Sequence, residues 1–180
     1  SGNFDFSLSS LIAKDALGNA AFSLNNLQIN ATSSVNNDLM EIKMNYSLEK
    51  LVTAGQQLEH VNLDVAFKHL NISVMQEAST YLAKLSDDEV FSTANMNKLS
   101  VLTTQLLEND PVIAVEDFSV ITPEGKIEST MQVGVDKKQF DTNNFMSIMA
   151  AIHATAKAKA PVAFFDKLGL APVVQHYVEQ

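Results

Sequence analysis

Between Met40 and Leu48 every second residue is apolar: Met40, Ile42, Met44, Tyr46 and Leu48 alternate with Glu41, Lys43, Asn45 and Ser47. A strand turns successive side chains to opposite faces, so this run forms a ribbon with one apolar and one wet face. The grammar recurs. Phe4, Phe6 and Leu8 alternate with Asp5, Ser7 and Ser9, and Val61, Leu63, Val65 and Phe67 alternate with Asn62, Asp64, Ala66 and Lys68. Ile127, Ser129, Met131, Val133 and Val135 alternate with Glu128, Thr130, Gln132, Gly134 and Asp136. Parallel strands are buried on both faces and read as continuous apolar runs. Half-wet strands in this number predict antiparallel hairpins.

Breakers separate the strands: Lys14-Asp15 with Gly18-Asn19, a polar loop from Thr32 to Asp38, Ala54-Gly55, and Thr122-Pro123-Glu124-Gly125-Lys126, where Gly125 suits a positive φ. In Phe22 to Ile29 the alternation jumps at Asn25-Asn26. A one-residue slip would reverse every later side chain, so a β-bulge is expected there. Ile113 to Val120 has the same order, apolar, x, apolar, polar, polar, apolar, x, apolar, with Glu116-Asp117 at the jump. Each is followed by a return strand, so the chain reads as an internal repeat with units 20–88 and 111–180.

Helical spacing takes over between these units. Leu70, Val74, Ala78, Tyr81, Leu82 and Leu85 share one stripe, with Asn71 or Ser73 as cap. A second helix follows Asp87-Asp88, buries Phe91, Leu99, Leu102 and Leu106, and stops at Asn109-Asp110-Pro111. A third, capped by Thr142 or Asn143, carries Phe145, Ile148, Met149, Ile152 and Ala156 as far as Ala160-Pro161. Pro161 opens a helix through Phe164, Phe165 and Leu168, closed by Gly169, and Pro172 opens a last one through Val173, Val174 and Tyr177. The expected fold class is α+β. Antiparallel β-hairpins in a meander form a curved sheet, amphipathic helices pack on one face of it, and residues 1–180 make a single domain.

Composition narrows function by exclusion. The net charge is −9, and all 12 basic residues are lysine. Without arginine there is no guanidinium fork for phosphate or carboxylate, and an acidic chain offers no basic stripe, so no nucleic-acid partner is expected. There is no cysteine, hence no disulfide and no thiolate nucleophile. No apolar run approaches the roughly 20 residues of a spanning helix.

The residues able to carry chemistry form no constellation. His60, His69, His153 and His176 match no zinc spacing. The acidic clusters Asp87-Asp88-Glu89, Glu108 with Asp110, and Glu116-Asp117 lack the ligand alternation and glycine of a calcium loop, and read as helix ends or the wet side of a bulge. No nucleophile elbow, phosphate loop or dinucleotide fingerprint is present. Neither catalytic, cofactor-binding nor metal-binding residues are therefore assigned, and no cofactor is expected. Asn30-Ala-Thr32, Asn45-Tyr-Ser47 and Asn71-Ile-Ser73 match the glycosylation sequon. Met40, Met44, Met131, Met146 and Met149 lie on apolar faces, where core filling is favoured over an adaptable groove for a lipid-like ligand.

The meander from Leu39 to Phe67, the helices after it, and above all the run NDPVIAVEDFSVITPEGKIESTMQVGV from Asn109 to Val135 resemble the YdgA-like family of Gram-negative envelope proteins, whose function is not established. The likeness spans Ala20 to Gln180. It implies a periplasmic body, anchored to the inner membrane through a segment absent from this chain, which would then be a C-terminal fragment; the start Ser1-Gly2-Asn3 reads as a cleavage scar. The expected function is non-enzymatic, by homodimerisation or by binding an envelope protein. The alternatives are an apolar or lipid-like ligand held between sheet and helices, and a hydrolase with a carboxylate site.

Overall fold

The computed structural model describes residues 1–15, 17–18, 20–53, 56–85, 92–139 and 146–167. Seven strands form one antiparallel sheet in sequence order: β1 (Gly2–Lys14), β2 (Ala20–Asn36), β3 (Leu39–Thr53), β4 (Gln56–Asn71), β5 (Val112–Thr122), β6 (Gly125–Val135) and β7 (Ile152–Lys159). Helices α1 (Ile72–Leu82) and α2 (Thr93–Leu107) lie between β4 and β5, α3 (Met146–Ala151) precedes β7, and α4 (Val162–Lys167) follows it. The fold is thus α+β with a meander sheet.

Turn chemistry sets the ends. Asn37 (φ 49°) and Asp38 (φ 63°) make the β2–β3 turn, so the strand runs on to Asn36 through most of the expected loop. Gly125 has φ 127°, and a Cβ there would lie 2.7 Å from Pro161 Cγ. Asn71 caps α1 by accepting from the Val74 N–H at 3.1 Å, and the Ile72 N–H donates to the Asp38 carbonyl at 2.9 Å, tying the helix to the β2–β3 turn. Helices α1 and α2 pack on each other, with a Tyr81 hydroxyl to Asn95 Oδ1 bond (2.5 Å) and a Lys98–Glu77 ion pair (2.5 Å). Helix α1 also touches β4, and α3 touches β7.

Two bulges compensate each other between β4 and β5. Glu59 opposes Ile121 and Asn62 opposes Ser119, leaving one extra residue in β4 at His60–Val61; Asp64 opposes Asp117 and Val65 opposes Val115, leaving one extra in β5 at Glu116. The register is thereby restored. The bulge expected at Glu116-Asp117 is present. The one expected at Asn25-Asn26 is not, because Leu8↔Leu27 and Ser10↔Asn25 keep one register, as do Leu27↔Leu48 and Asn25↔Lys50. The neighbouring strands jump at the same row, from Leu8 to Leu11 and from Leu48 to Leu51, so no residue has to be inserted. In β2 left-handed Asn26 (φ 51°) takes up the irregularity.

A second correction concerns Ile152–Lys159. Alanine and lysine favour a helix, and Ile148, Met149, Ile152 and Ala156 have helical spacing. The segment is instead β7, paired from Val135↔Ile152 to Glu128↔Lys159. Backbone pairing with the otherwise open edge of β6 overrides local propensity. The proposed caps Thr142 and Asn143, the turn at Ala54-Gly55 and the helix from Pro172 lie outside the described residues.

Among the described residues the buried apolar set is small: Ala66, Leu102, Ala114, Val120, Val135 and Ala151. The chain exposes 12183 Å², against about 8600 Å² for a compact monomer of its mass.

Candidate functional site

Residues directly opposed in a ladder share a face, so the register sorts the sheet into two surfaces. One surface is apolar. Its rows run Phe4–Ala31–Met44–Val65–Val115–Met131–Ala156, Phe6–Ile29–Tyr46–Leu63–Phe118–Ser129–Ala158, and Leu8–Leu27–Leu48–Val61. A further row joins Ser33, Ile42, Phe67, Ile113, Val133 and Ala154. None of these side chains is charged. None is fully buried either: Phe4 is 58% exposed, Phe6 44%, Ile113 49% and Met131 43%. Methionines 44 and 131 therefore do not fill a closed core, as the sequence favoured; they sit in one row of an open face.

The opposite surface is polar, and a ladder of amides and carboxylates crosses it. Asp5, Asn30, Asn45, Asp64 and Asp117 are in register. The Asn30 amide donates to Asn45 Oδ1 (3.3 Å), and the Asn45 amide donates to Asn62 Oδ1 (2.8 Å) and Asp64 Oδ1 (2.5 Å). The Asn62 amide reaches Asp117 Oδ2 at 2.8 Å. These half-buried groups find partners in one another, as buried polar atoms must. Beside them the bulged Glu116 pairs with Lys68 at 2.5 Å, and this hydrogen bond holds the Lys68 ammonium pKa above its usual value. Two shallow grooves of about 340 and 240 Å³ open here, and most of the residues lining each are polar.

The histidines are dispersed. His60 (φ 48°) and His69 (φ 58°) hold left-handed backbone at irregularities of β4, a conformation in which histidine is enriched. His69 Nδ1 lies 2.9 Å from the Asp110 carbonyl. The His153 ring covers Gly134, where a Cβ would meet it at 2.7 Å, and His176 lies outside the described residues. Glu116 and Asp117, expected on the solvated side of a bulge, are both partnered, while Asp87-Asp88-Glu89 falls outside the described residues. All three sequon asparagines are engaged, Asn30 and Asn45 in the ladder and Asn71 as a helix cap. Met40 is half-buried, Met149 is 70% exposed on α3, and the Met146 side chain is outside the described set.

Among the described residues no group of three or more acidic, histidine or cysteine side chains is placed to hold a metal ion. No described helix is long and apolar enough to cross a membrane. Sequence reading missed the uncovered apolar face, because the alternation marks which residues share a side without saying what lies against them.

Compared with known proteins, the chain matches over residues 1–174 the model of a family described as "Bacterial protein of unknown function (DUF945)". No curated protein and no solved structure matches.

Proposed function

We propose that this chain, which belongs to the DUF945 family of bacterial proteins of unknown function, is a non-enzymatic module that self-associates through the apolar face of its sheet. The observation that carries this reading is the chargeless, half-exposed set of rows from Phe4 to Ala158. Seven strands about 4.8 Å apart, with four rows about 6.6 Å apart, make a face on the order of 800 Å². A stable interface buries about 800 Å² per partner, and the cores of homodimer interfaces are apolar and poor in charge. A face without charge meets no like-charge repulsion from a second copy of itself, and a two-fold dimer sets the same patch of both copies together.

The resemblance to YdgA-like envelope proteins supports placing the module in the periplasm, joined to the inner membrane by a segment outside this chain. A lipid-like ligand has less support, since such ligands favour concave apolar sites and the wet-face grooves beside Lys68 and Asn45 are lined mainly by polar residues. A carboxylate hydrolase could draw on Asp64 and Asp117, which oppose each other in the ladder, but both are held by the Asn62 amide on a half-exposed face rather than in a water-excluding cleft.

Light scattering on a dilution series tests the proposal. A mass of twice 19.6 kDa that falls to 19.6 kDa on dilution is the expected result. A constant 19.6 kDa mass would refute self-association, and a mass increment of a bound lipid in native mass spectrometry would favour the ligand reading instead.

A further inference from the structure

The two edges of the sheet differ. At β7 the apolar face tapers to Ala154, Ala156 and Ala158, and the strand carries Lys157 and Lys159. Short, lysine-bearing edges resist pairing with another chain. At β1 the apolar rows end on large side chains, Phe4 (58% exposed), Phe6 (44%) and Leu8, and from Gly2 to Ala13 the only charge is Asp5. Alternate backbone N–H and C=O groups of β1 point away from β2, and among the described residues no further strand pairs with them.

We infer that β1 pairs antiparallel with β1 of a second copy, with Phe6 opposite Phe6 on the two-fold axis, so that the apolar rows continue from one sheet into the next. This rests on the self-association proposed above and names its mode.

The register follows from the residues. Two-fold pairing that keeps Phe4, Phe6 and Leu8 on one surface opposes even-numbered residues to even-numbered ones. With Phe6 on the axis, Phe4 opposes Leu8 of the second copy, Leu8 opposes Phe4, and Asp5 opposes Ser7. Aromatic and large apolar cross-strand pairs stabilise a ladder. Moving the axis to residue 5 sets Asp5 against Asp5 and Leu8 against Gly2. Moving it to residue 7 sets Phe4 against Ser10. Only the Phe6 axis matches all three apolar residues and separates the like charges. A joined sheet of fourteen strands exceeds the about ten beyond which sheets curl, split or flatten, and curling toward the apolar side would turn the two apolar faces toward each other.

The chain has no cysteine, so one introduced thiol reports on one position. Across the axis the two copies of residue 6 have Cα atoms about 5 Å apart, within disulfide reach, whereas the two copies of residue 9 lie on the order of 20 Å apart. Under mild oxidation the full chain carrying Phe6→Cys is expected to form a covalent dimer, and Ser9→Cys is not. A second measurement guards against loss of folding at Phe6. Ser7→Lys sets a lysine opposite Asp5 of the second copy and should tighten the dimer a few-fold, while Ser7→Asp should loosen it by a similar factor. Equal cross-linking at positions 6 and 9, or no response to the charge at residue 7, overturns the edge pairing. If Phe6→Cys stays uncross-linked while the unmodified chain is dimeric and weakened by Met131→Lys, the edge mode falls and face-driven self-association stands. A monomer that never cross-links removes both.

Discussion

Consider truncation of Met131, which sits in an apolar row between Val115 and Ala156 and is 43% exposed in the single chain. Full burial of a methionine side chain is worth about 2 kcal/mol, so covering the exposed part contributes about 0.9 kcal/mol per copy. A two-fold dimer contains the residue twice, giving about 1.7 kcal/mol, or about 20-fold in Kd. Met131→Ala removes most of that. Met131→Lys should act more strongly, because it would bury an unpaired ammonium. Met149 is the control, being 70% exposed on α3 and a member of none of the rows. Sedimentation equilibrium would give Kd for the parent chain, Met131→Ala and Met149→Ala. A 10- to 20-fold weakening for Met131→Ala and no change for Met149→Ala are expected. Equal Kd values for all three would refute the coverage of this face, even if a dimer forms.

Other consequences concern the fold. Among the described residues Leu102 is the one large side chain that is 2% exposed or less, so Leu102→Ala should lower unfolding free energy by about 2–5 kcal/mol in a urea titration. Gly134→Ala drives a methyl to within 2.7 Å of the His153 ring and should destabilise by about 1–2 kcal/mol, with much of the loss recovered in Gly134→Ala/His153→Ala. The Glu124 carboxyl is held below its usual pKa, chiefly by a hydrogen bond from Lys167 at 2.7 Å. Its stabilising contribution is therefore present above the ordinary glutamate pKa and is lost as pH falls through the lowered folded value. An NMR titration should show the Glu124 midpoint rising in Lys167→Gln.

Much of the sheet was legible because alternation is a local signal. The strands around Met44, Val65 and Met131, the Asn71 cap, the Gly125 turn and the Glu116 bulge each follow from residues a few positions apart. What was hidden depends on distant partners. Ile152–Lys159 has helical propensity and becomes a strand only because β6 offers an edge. The Asn25-Asn26 jump inserts no residue only because β1 and β3 jump at the same row. The amide ladder joins Asn30, Asn45 and Asn62, which look like unrelated wet-face residues until pairing lines them up. Exposure of the apolar face is likewise a property of what packs on it, and alternation is silent on that.

The most direct test of coverage by a second copy is isotope-filtered NMR on an equal mixture of methyl-labelled and unlabelled chains. Intermolecular contacts from the Met44 and Met131 methyls to the unlabelled copy, with none from Met96 or Met149, are predicted. Intermolecular contacts confined to the helical methionines, or absent from a mixture in which dimers are present, would contradict it.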